Sequence, residues 1–228
     1  MPFVLHFKPQ IRENSDANSY RRNPIHLRLV IVGIGFGRMK ILIDMDGVIA
    51  NIMPLWLKWY NRDYHDNLKE EDVTDWSIER IVKPECGTRM MHYLGYEGFF
   101  RNAVPYPEAK EVIQRLLDLG AEIWFVTKST HYGRYMVREK SEWIAEHYPH
   151  IGQEKILFCK YKSVIPGDLM VDDYFQNLRG FNGIKVLFER PWNRNVAVDH
   201  FLSDGNKALF IKTGSWSDIV GVAASIHR

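Results

Sequence analysis

"ILIDMDGVIAN", residues 41–51, begins as an apolar run and ends in two carboxylates, Asp44 and Asp46, one residue apart and followed at once by Gly47. In an extended chain successive side chains alternate between faces, so the two aspartates are expected to point the same way, about 7 Å apart. Like charges aimed at one place repel, and one of them stays protonated unless a cation or a proton donor shares the site. A hard cation with oxygen ligands, such as Mg²⁺, meets that need. The residues leading into the tract, "KILI", are apolar on both faces, as in a strand of a parallel sheet covered on both sides.

Outward from this strand the pattern alternates. "PYPEAKEVIQRLLDLG" predicts a helix opened by Pro107, with Val112, Ile113, Leu116 and Leu117 as its apolar face and Gly120 at its end. "AEIWFVTKST" reads as a second buried strand, "GRYMVREKSEWIAEHYP" as an amphipathic helix stopped by Pro149, and "EKILFC", "GDLMVDD" and "IKVLF" as three further strands. The closing "SWSDIVGVAASIHR" predicts a last helix with a serine cap. Strands separated by helix-sized segments define an α/β fold with a doubly wound parallel sheet. Residues 51–104 interrupt the rhythm with nine aromatic residues and two predicted helices, around Pro54–Arg62 and Pro84–Leu94. They are read as an insertion with its own small core, between core segments 39–50 and 105–228.

The composition bounds what else the chain can be. Its 228 residues, 46% hydrophobic and 25% charged, describe an ordinary globular protein, and no apolar run approaches the roughly 18 residues of a spanning helix. No membrane association is expected. Cys86 and Cys159 lack the spacing of a disulfide framework or a zinc site, which fits a reducing, cytoplasmic setting. The basic balance sits in residues 1–38, where six lysines and arginines face only Glu13 and Asp16, giving that head +4 and the remainder −2. The head reads as an irregular extension, or as a stretch upstream of a start at Met39. Its Gly33, Gly35 and Gly37 follow an apolar run, but the spacing misses GxGxxG and a strand follows instead of a helix, so no dinucleotide site is expected.

In open α/β sheets ligands bind outside the carboxyl ends of the strands. Asp44 and Asp46 follow the first strand, Thr127 the second, Lys162 lies three residues past Cys159, and Asp172 with Asp173 close "DLMV". One hydroxyl, one ammonium and four carboxylates on a single rim match what phosphoryl transfer requires. A carboxylate nucleophile approaches an anionic phosphate only with a cation present, and the phosphate oxygens need donors as charge redistributes. One aspartate can attack phosphorus while the other protonates the leaving oxygen and then deprotonates water. Taken singly, each of these residues has an ordinary reading as a turn, a cap or a solvated charge.

"DMDGV", the threonine after an apolar strand, the later lysine and the "DD" pair together resemble the haloacid dehalogenase superfamily of phosphatases. Within it, "ILIDMDGVIAN", "GFFRNAVPYPEAKEVIQRLLDLG", "KSVIPGDLMVDD" and "SWSDI" are similar to the 5'(3')-deoxyribonucleotidase family over residues 39–222. The resemblance implies Asp44 as nucleophile and Asp46 as general acid and base. It implies Mg²⁺ held by the Asp44 carboxylate, the Asp46 backbone carbonyl and Asp173, with Asp172 in support. Thr127 and Lys162 would contact the phosphate, and 51–104 would be a helical cap whose Trp56 and Phe99 or Phe100 line the base pocket. Family members commonly carry Thr-Ser-Pro where this chain has Thr127-Lys128-Ser129, so Lys128 joins the expected phosphate contacts in place of a hydroxyl. The expected reaction is Mg²⁺-dependent removal of phosphate from 5' or 3' (deoxy)nucleoside monophosphates. A sugar phosphate, another small phosphoester or a nucleic-acid phosphate end is the alternative substrate, and a silent nucleotide-binding module the alternative class. A nucleotide is the expected partner, nucleic acid is not, and a homodimer is allowed.

Overall fold

The strand that carries the aspartate tract is the centre of the sheet. The computed structural model describes residues 39–196 and 210–226; the basic head and its glycines lie outside them. The described elements run β1 (Lys40–Ile43), β2 (Ala50–Asn51), α1 (Met53–Tyr64), β3 (Val104–Pro105), α2 (Pro107–Asp118), β4 (Glu122–Thr127), α3 (Met136–His147), β5 (Ile156–Phe158), β6 (Leu169–Asp172), α4 (Phe175–Leu178), β7 (Ile184–Phe188), β8 (Phe210–Thr213) and α5 (Trp216–Ile226). Six strands form one parallel sheet in the order β5-β4-β1-β6-β7-β8. Ile41 pairs with Ile123 on one side and Leu169 on the other. The chain therefore steps outward from β1 in both directions, which makes the carboxyl end of β1 the switch point where such sheets bind ligands.

Both faces of β1 are buried, as the unbroken apolar run requires. Ile41 and Ile43 enter the larger core with Phe125, Val171, Ile113 and Ile219, while Leu42 points the other way to Val126, Met170 and Leu187. The two layers are unequal: α2, α3 and α5 contribute to the larger core, and the short α4 to the smaller. Burying each Ile or Leu side chain contributes about 1.5–3 kcal/mol. Pro107 opens α2, and Gly120, at φ +90°, ends it in a backbone region that favours glycine.

Four expectations are corrected in detail. The first strand ends at Ile43 rather than running through both aspartates, because the Met45 carbonyl accepts hydrogen bonds from Val48, Ile49 and Ala50 and folds residues 45–50 into a tight turn. The helix expected around Pro84–Leu94 forms over Gly87–Gly95 and is of 3₁₀ type, entered through Gly87 at φ +46°. A sixth strand, Phe210–Thr213, extends the sheet beyond β7. Ser215 immediately precedes α5, but its hydroxyl pairs with that of Ser217, and it is Thr213 Oγ1 that meets Asp218. A separate antiparallel ribbon, Ala50 opposite Pro105 and Asn51 opposite Val104, ties together the two ends of segment 52–103. No helix among the described residues is long and apolar enough to cross a membrane, and Cys86 and Cys159 are free thiols.

Candidate active site

The turn after β1 brings its two aspartates to one cleft by different routes. Asp44 continues the ladder by one bond, its N–H donating to the Val171 carbonyl at 2.9 Å. Its Oδ1 accepts from the Met45 N–H at 2.7 Å and pairs with Lys162 Nζ at 2.6 Å, which fixes that oxygen and turns the other outward. Asp46 lies in the turn itself, ahead of Gly47, whose φ of +73° lets the chain double back. A Cβ on Gly47 would lie 2.2 Å from Asp173 Oδ2, so this glycine is required by close approach as well as by conformation.

Two buried lysines flank the pair. Lys162 opens a 3₁₀ turn past β5 and bridges Asp44 and Asp172, with Asp172 Oδ2 at 2.8 Å. Burial pulls its pKa down, but Asp172 and Asp44 outweigh that and hold it above the usual lysine range. Lys140, on α3, donates to Asp46 Oδ2 at 2.5 Å, Thr127 Oγ1 at 2.9 Å and the Lys128 carbonyl at 3.1 Å. Burial raises the Asp46 pKa, Lys140 opposes the rise, and Asp44 adds to it. The Asp46 side chain keeps 28% of its surface exposed in the cleft, whereas Lys140 keeps 1%.

The adjacent aspartates at the end of β6 have contrasting surroundings. Asp172 is saturated: Lys162, Asn177 Nδ2 and the Tyr174 N–H all donate to it. Asp173 receives one side-chain bond, from Trp192 Nε1 to Oδ2 at 2.8 Å, and its buried Oδ1 has no partner among the described residues. Burial and the neighbouring Asp172 and Asp44 push Asp173 well above the ordinary carboxylate range. Carboxylate oxygens of Asp44, Asp172 and Asp173 lie within 4.8 Å of one another. With Asp172 already saturated, the Asp44 and Asp173 carboxylates, one buried acceptor of the latter unpartnered among the described residues, fit a hard divalent cation, whose charge would offset the repulsion that raises Asp173.

The cleft of about 220 Å³ above them is walled by both core and insertion. Trp56, Trp76 and Phe100 come from the insertion, and Lys128, Lys140, Asp173 and Trp192 from the core. Trp76 stacks on Tyr174 at 3.9 Å between centroids, and Lys128 Nζ stands 5.4 Å over the same tyrosine ring. Burial, then Lys162, lowers the Lys128 pKa. Asp44, Asp46, Lys128 and Asp173 line the cleft with Trp56 and Phe100 on its wall, while the buried Thr127, Lys162 and Asp172 stand behind it, Thr127 bonded to Lys140 and Lys162 bridging Asp44 and Asp172. Phe99 is not on the wall. Fully buried, it packs between Trp56 and Trp59 inside the insertion. Lys140, Trp76 and the Arg190–Asn193 segment were not anticipated. For Lys140 a signal existed: together with Glu139 it interrupts the buried stripe of Met136, Trp143 and Ile144, and a charge on the apolar face of a helix calls for a partner.

Solved structures of haloacid dehalogenase-like hydrolases share the fold. A HAD family hydrolase from Deinococcus radiodurans, with bound phosphate and sodium, superposes with a TM-score of 0.53 over 82% of this chain and 96% of its own, at 13% identity. A HAD-hydrolase of Bacillus subtilis bound to magnesium gives 0.51 over 82% of this chain and 98% of its own, at 12% identity. Sequence narrows the class: the family described as "5' nucleotidase, deoxy (Pyrimidine), cytosolic type C protein" matches residues 38–205, and the chain belongs to that family. The 5'(3')-deoxyribonucleotidase of Clostridium acetobutylicum is 35% identical over 153 residues, 67% of this chain and 83% of that protein. The chain is a phosphoric monoester hydrolase.

Proposed function

We propose that the protein removes phosphate from 5' or 3' (deoxy)nucleoside monophosphates through a phosphoryl-aspartate formed on Asp44, with Mg²⁺ as its cation. The observation that carries this reading is the asymmetry of the first two aspartates. Asp44 has one oxygen tied by Met45 and Lys162, while Asp46, beside it in the cleft, has Oδ2 bonded to Lys140 and Oδ1 without a partner among the described residues. A nucleophile needs a fixed orientation and a general acid and base needs a proton partner within reach, so the two environments suit two roles.

In the first step Asp44 Oδ2 attacks phosphorus, the P–O bond to the nucleoside breaks, and the leaving oxygen takes its proton from Asp46. In the second, Asp46 removes a proton from water, which attacks phosphorus and frees Asp44. Lys140 and Lys128 face the phosphate oxygens and Thr127 holds the Lys140 ammonium, while Lys162, which the resemblance placed on the phosphate, keeps Asp44 oriented and Asp172 keeps Lys162 in place. The Asp44 carboxylate, Asp173 and the Asp46 backbone carbonyl would hold Mg²⁺, which supplies neutralisation of the approaching phosphate charge. Segment 51–104 acts as a cap, with Trp56, Phe100 and Trp76 as the surface for a nucleobase. The family match and the deoxyribonucleotidase relative support the substrate class.

Phosphate release from a panel of 5' and 3' nucleoside and deoxynucleoside monophosphates and sugar phosphates, with Mg²⁺ and with chelator, tests the proposal. Selective, chelator-sensitive turnover of nucleotides is expected. Turnover of sugar phosphates alone would overturn the substrate assignment, and turnover unaffected by chelator would overturn the cation.

A further inference from the structure

After β7 the chain runs through Arg190-Pro191-Trp192-Asn193, and three of these four side chains are spent on the catalytic rim. Trp192, 6% exposed, donates its Nε1–H to Asp173 Oδ2 at 2.8 Å. Asn193, 4% exposed, donates to the Asp173 and Phe188 carbonyls, both at 2.7 Å, and accepts the Arg190 N–H at 2.9 Å. Arg190 Nε donates to the Gly47 carbonyl at 2.5 Å, its guanidinium held 3.9 Å over the Tyr106 ring and 4.6 Å over that of Phe188. The segment thus grips both the aspartate at the end of β6 and the turn at the end of β1.

These contacts are selective between the two oxygens of Asp173. Oδ2 is taken by the indole, and a Cβ at Gly47 would meet it at 2.2 Å and Trp192 Cζ2 at 3.0 Å, so turn, carboxylate and indole form one packed stack. Oδ1 is buried and has no partner among the described residues, and Asp173 presents a ligand oxygen to the cluster with Asp44 and Asp172. A carboxylate pinned at one oxygen presents the other at a fixed angle, and partners that orient a ligand in this way typically change metal affinity by about 10–100-fold when removed.

We propose that Arg190, Trp192 and Asn193 are the positioning element of a divalent-cation site, with Trp192 determining which oxygen of Asp173 is presented to the ion. The inference rests on the cation reading above and goes beyond it, because it assigns affinity to residues that do not touch the ion.

The test is a titration of the full chain with Mn²⁺, a hard oxygen-preferring ion whose free form is counted by electron paramagnetic resonance. Trp192→Phe keeps most of the ring and removes the N–H. The control is Trp216→Phe, since Trp216 is buried against Phe188 at 5.2 Å with its Nε1 unpartnered among the described residues. W192F is expected to raise the Mn²⁺ Kd by about tenfold or more, W216F to leave it unchanged, and both metal-free variants to melt alike. Equal affinity in W192F and the wild type overturns the inference and leaves the cation reading standing, as does an equal weakening in W216F. A wild-type chain that binds no Mn²⁺ overturns both. If W192F does not fold, Arg190→Gln, which releases the Gly47 carbonyl and leaves the indole in place, carries the same expectation. Unchanged Mn²⁺ affinity in R190Q then overturns the inference.

Discussion

The strand-end rim and the insertion that faces it meet at one cleft but are held together by different physics. On the rim directional bonds hold most of the charged groups: Asp172 is saturated, and Lys162 and Lys140 are each locked by several bonds, while Asp46 Oδ1 and Asp173 Oδ1 have no partner among the described residues. The insertion adds a stack of rings to directional bonds such as Tyr93 Oη to Asp63 and Trp56 Nε1 to the Met90 carbonyl, with Trp59 within 5.5–6.0 Å of Tyr93, Tyr96 and Phe99. Directional bonds fix atoms to fractions of an ångström, which bond making demands. Aromatic packing fixes a surface, which is sufficient to admit one shape of molecule over another. The difference separates what the site does from what it accepts.

The sharpest way to break that separation is at the nucleophile. Asp44→Asn keeps size and shape but substitutes an amide, a poor nucleophile and a weaker ligand; turnover is expected to fall by at least about 10⁴-fold with the circular dichroism spectrum unchanged. Activity retained in a phosphate-release assay would place the chemistry elsewhere.

Next is Lys162. Its ammonium joins two buried carboxylates, and Lys162→Met leaves both without their countercharge; breaking such a pair is expected to cost about 3–5 kcal/mol of stability by urea denaturation. The pH dependence has a definite sign. Because its folded pKa is raised, Lys162 contributes stability that is fully present below the ordinary lysine value and lost as pH rises through the folded one. The stability gap between wild type and K162M should therefore narrow at strongly alkaline pH, and a gap that widens there would contradict the ion-pair account.

A smaller effect is expected at Lys140, whose partner Asp46 is open to the cleft. Lys140→Met should lower kcat by about 10²-fold, the low end for a disturbed proton-transfer group, while costing less stability than K162M. Equal losses of stability would mean that the two lysines do the same structural job. The smallest effect tests the insertion: Trp76→Ala removes one stacking surface, worth about 1–3 kcal/mol per base. KM should rise about tenfold with kcat nearly kept, and a fall in kcat alone would show that the rings also act on the chemistry.

How much of this was legible depends on the range of the signal. The rim was readable because each residue follows an apolar strand, and the carboxyl ends of parallel strands must converge. The turn at Asp46 was not, since alternation along "ILIDMD" says nothing of where the Met45 carbonyl will collect three amides. Phe99 and Phe100 are neighbours with opposite assignments, one inside the insertion and one on the cleft, and no local pattern distinguishes them. Strand β8 is short and partly polar, and it becomes a strand by pairing with β7. Lys140 was legible in principle, as a charge on a buried stripe.

The two-residue ribbon of β2 and β3 has a consequence for how such enzymes diversify. Because Ala50 pairs with Pro105 and Asn51 with Val104, everything between them leaves and re-enters the chain at one doorstep. Closing the chain at that doorstep is entropically cheap, since doubling a flexible loop costs only about 0.6 kcal/mol, but the segment also shares one core with the sheet through Trp56, Tyr60, Phe99 and Phe100. A different segment grafted at 52–103 is therefore expected to leave the sheet folded only where it also refills that shared core and meets Glu139 and Trp143 of α3.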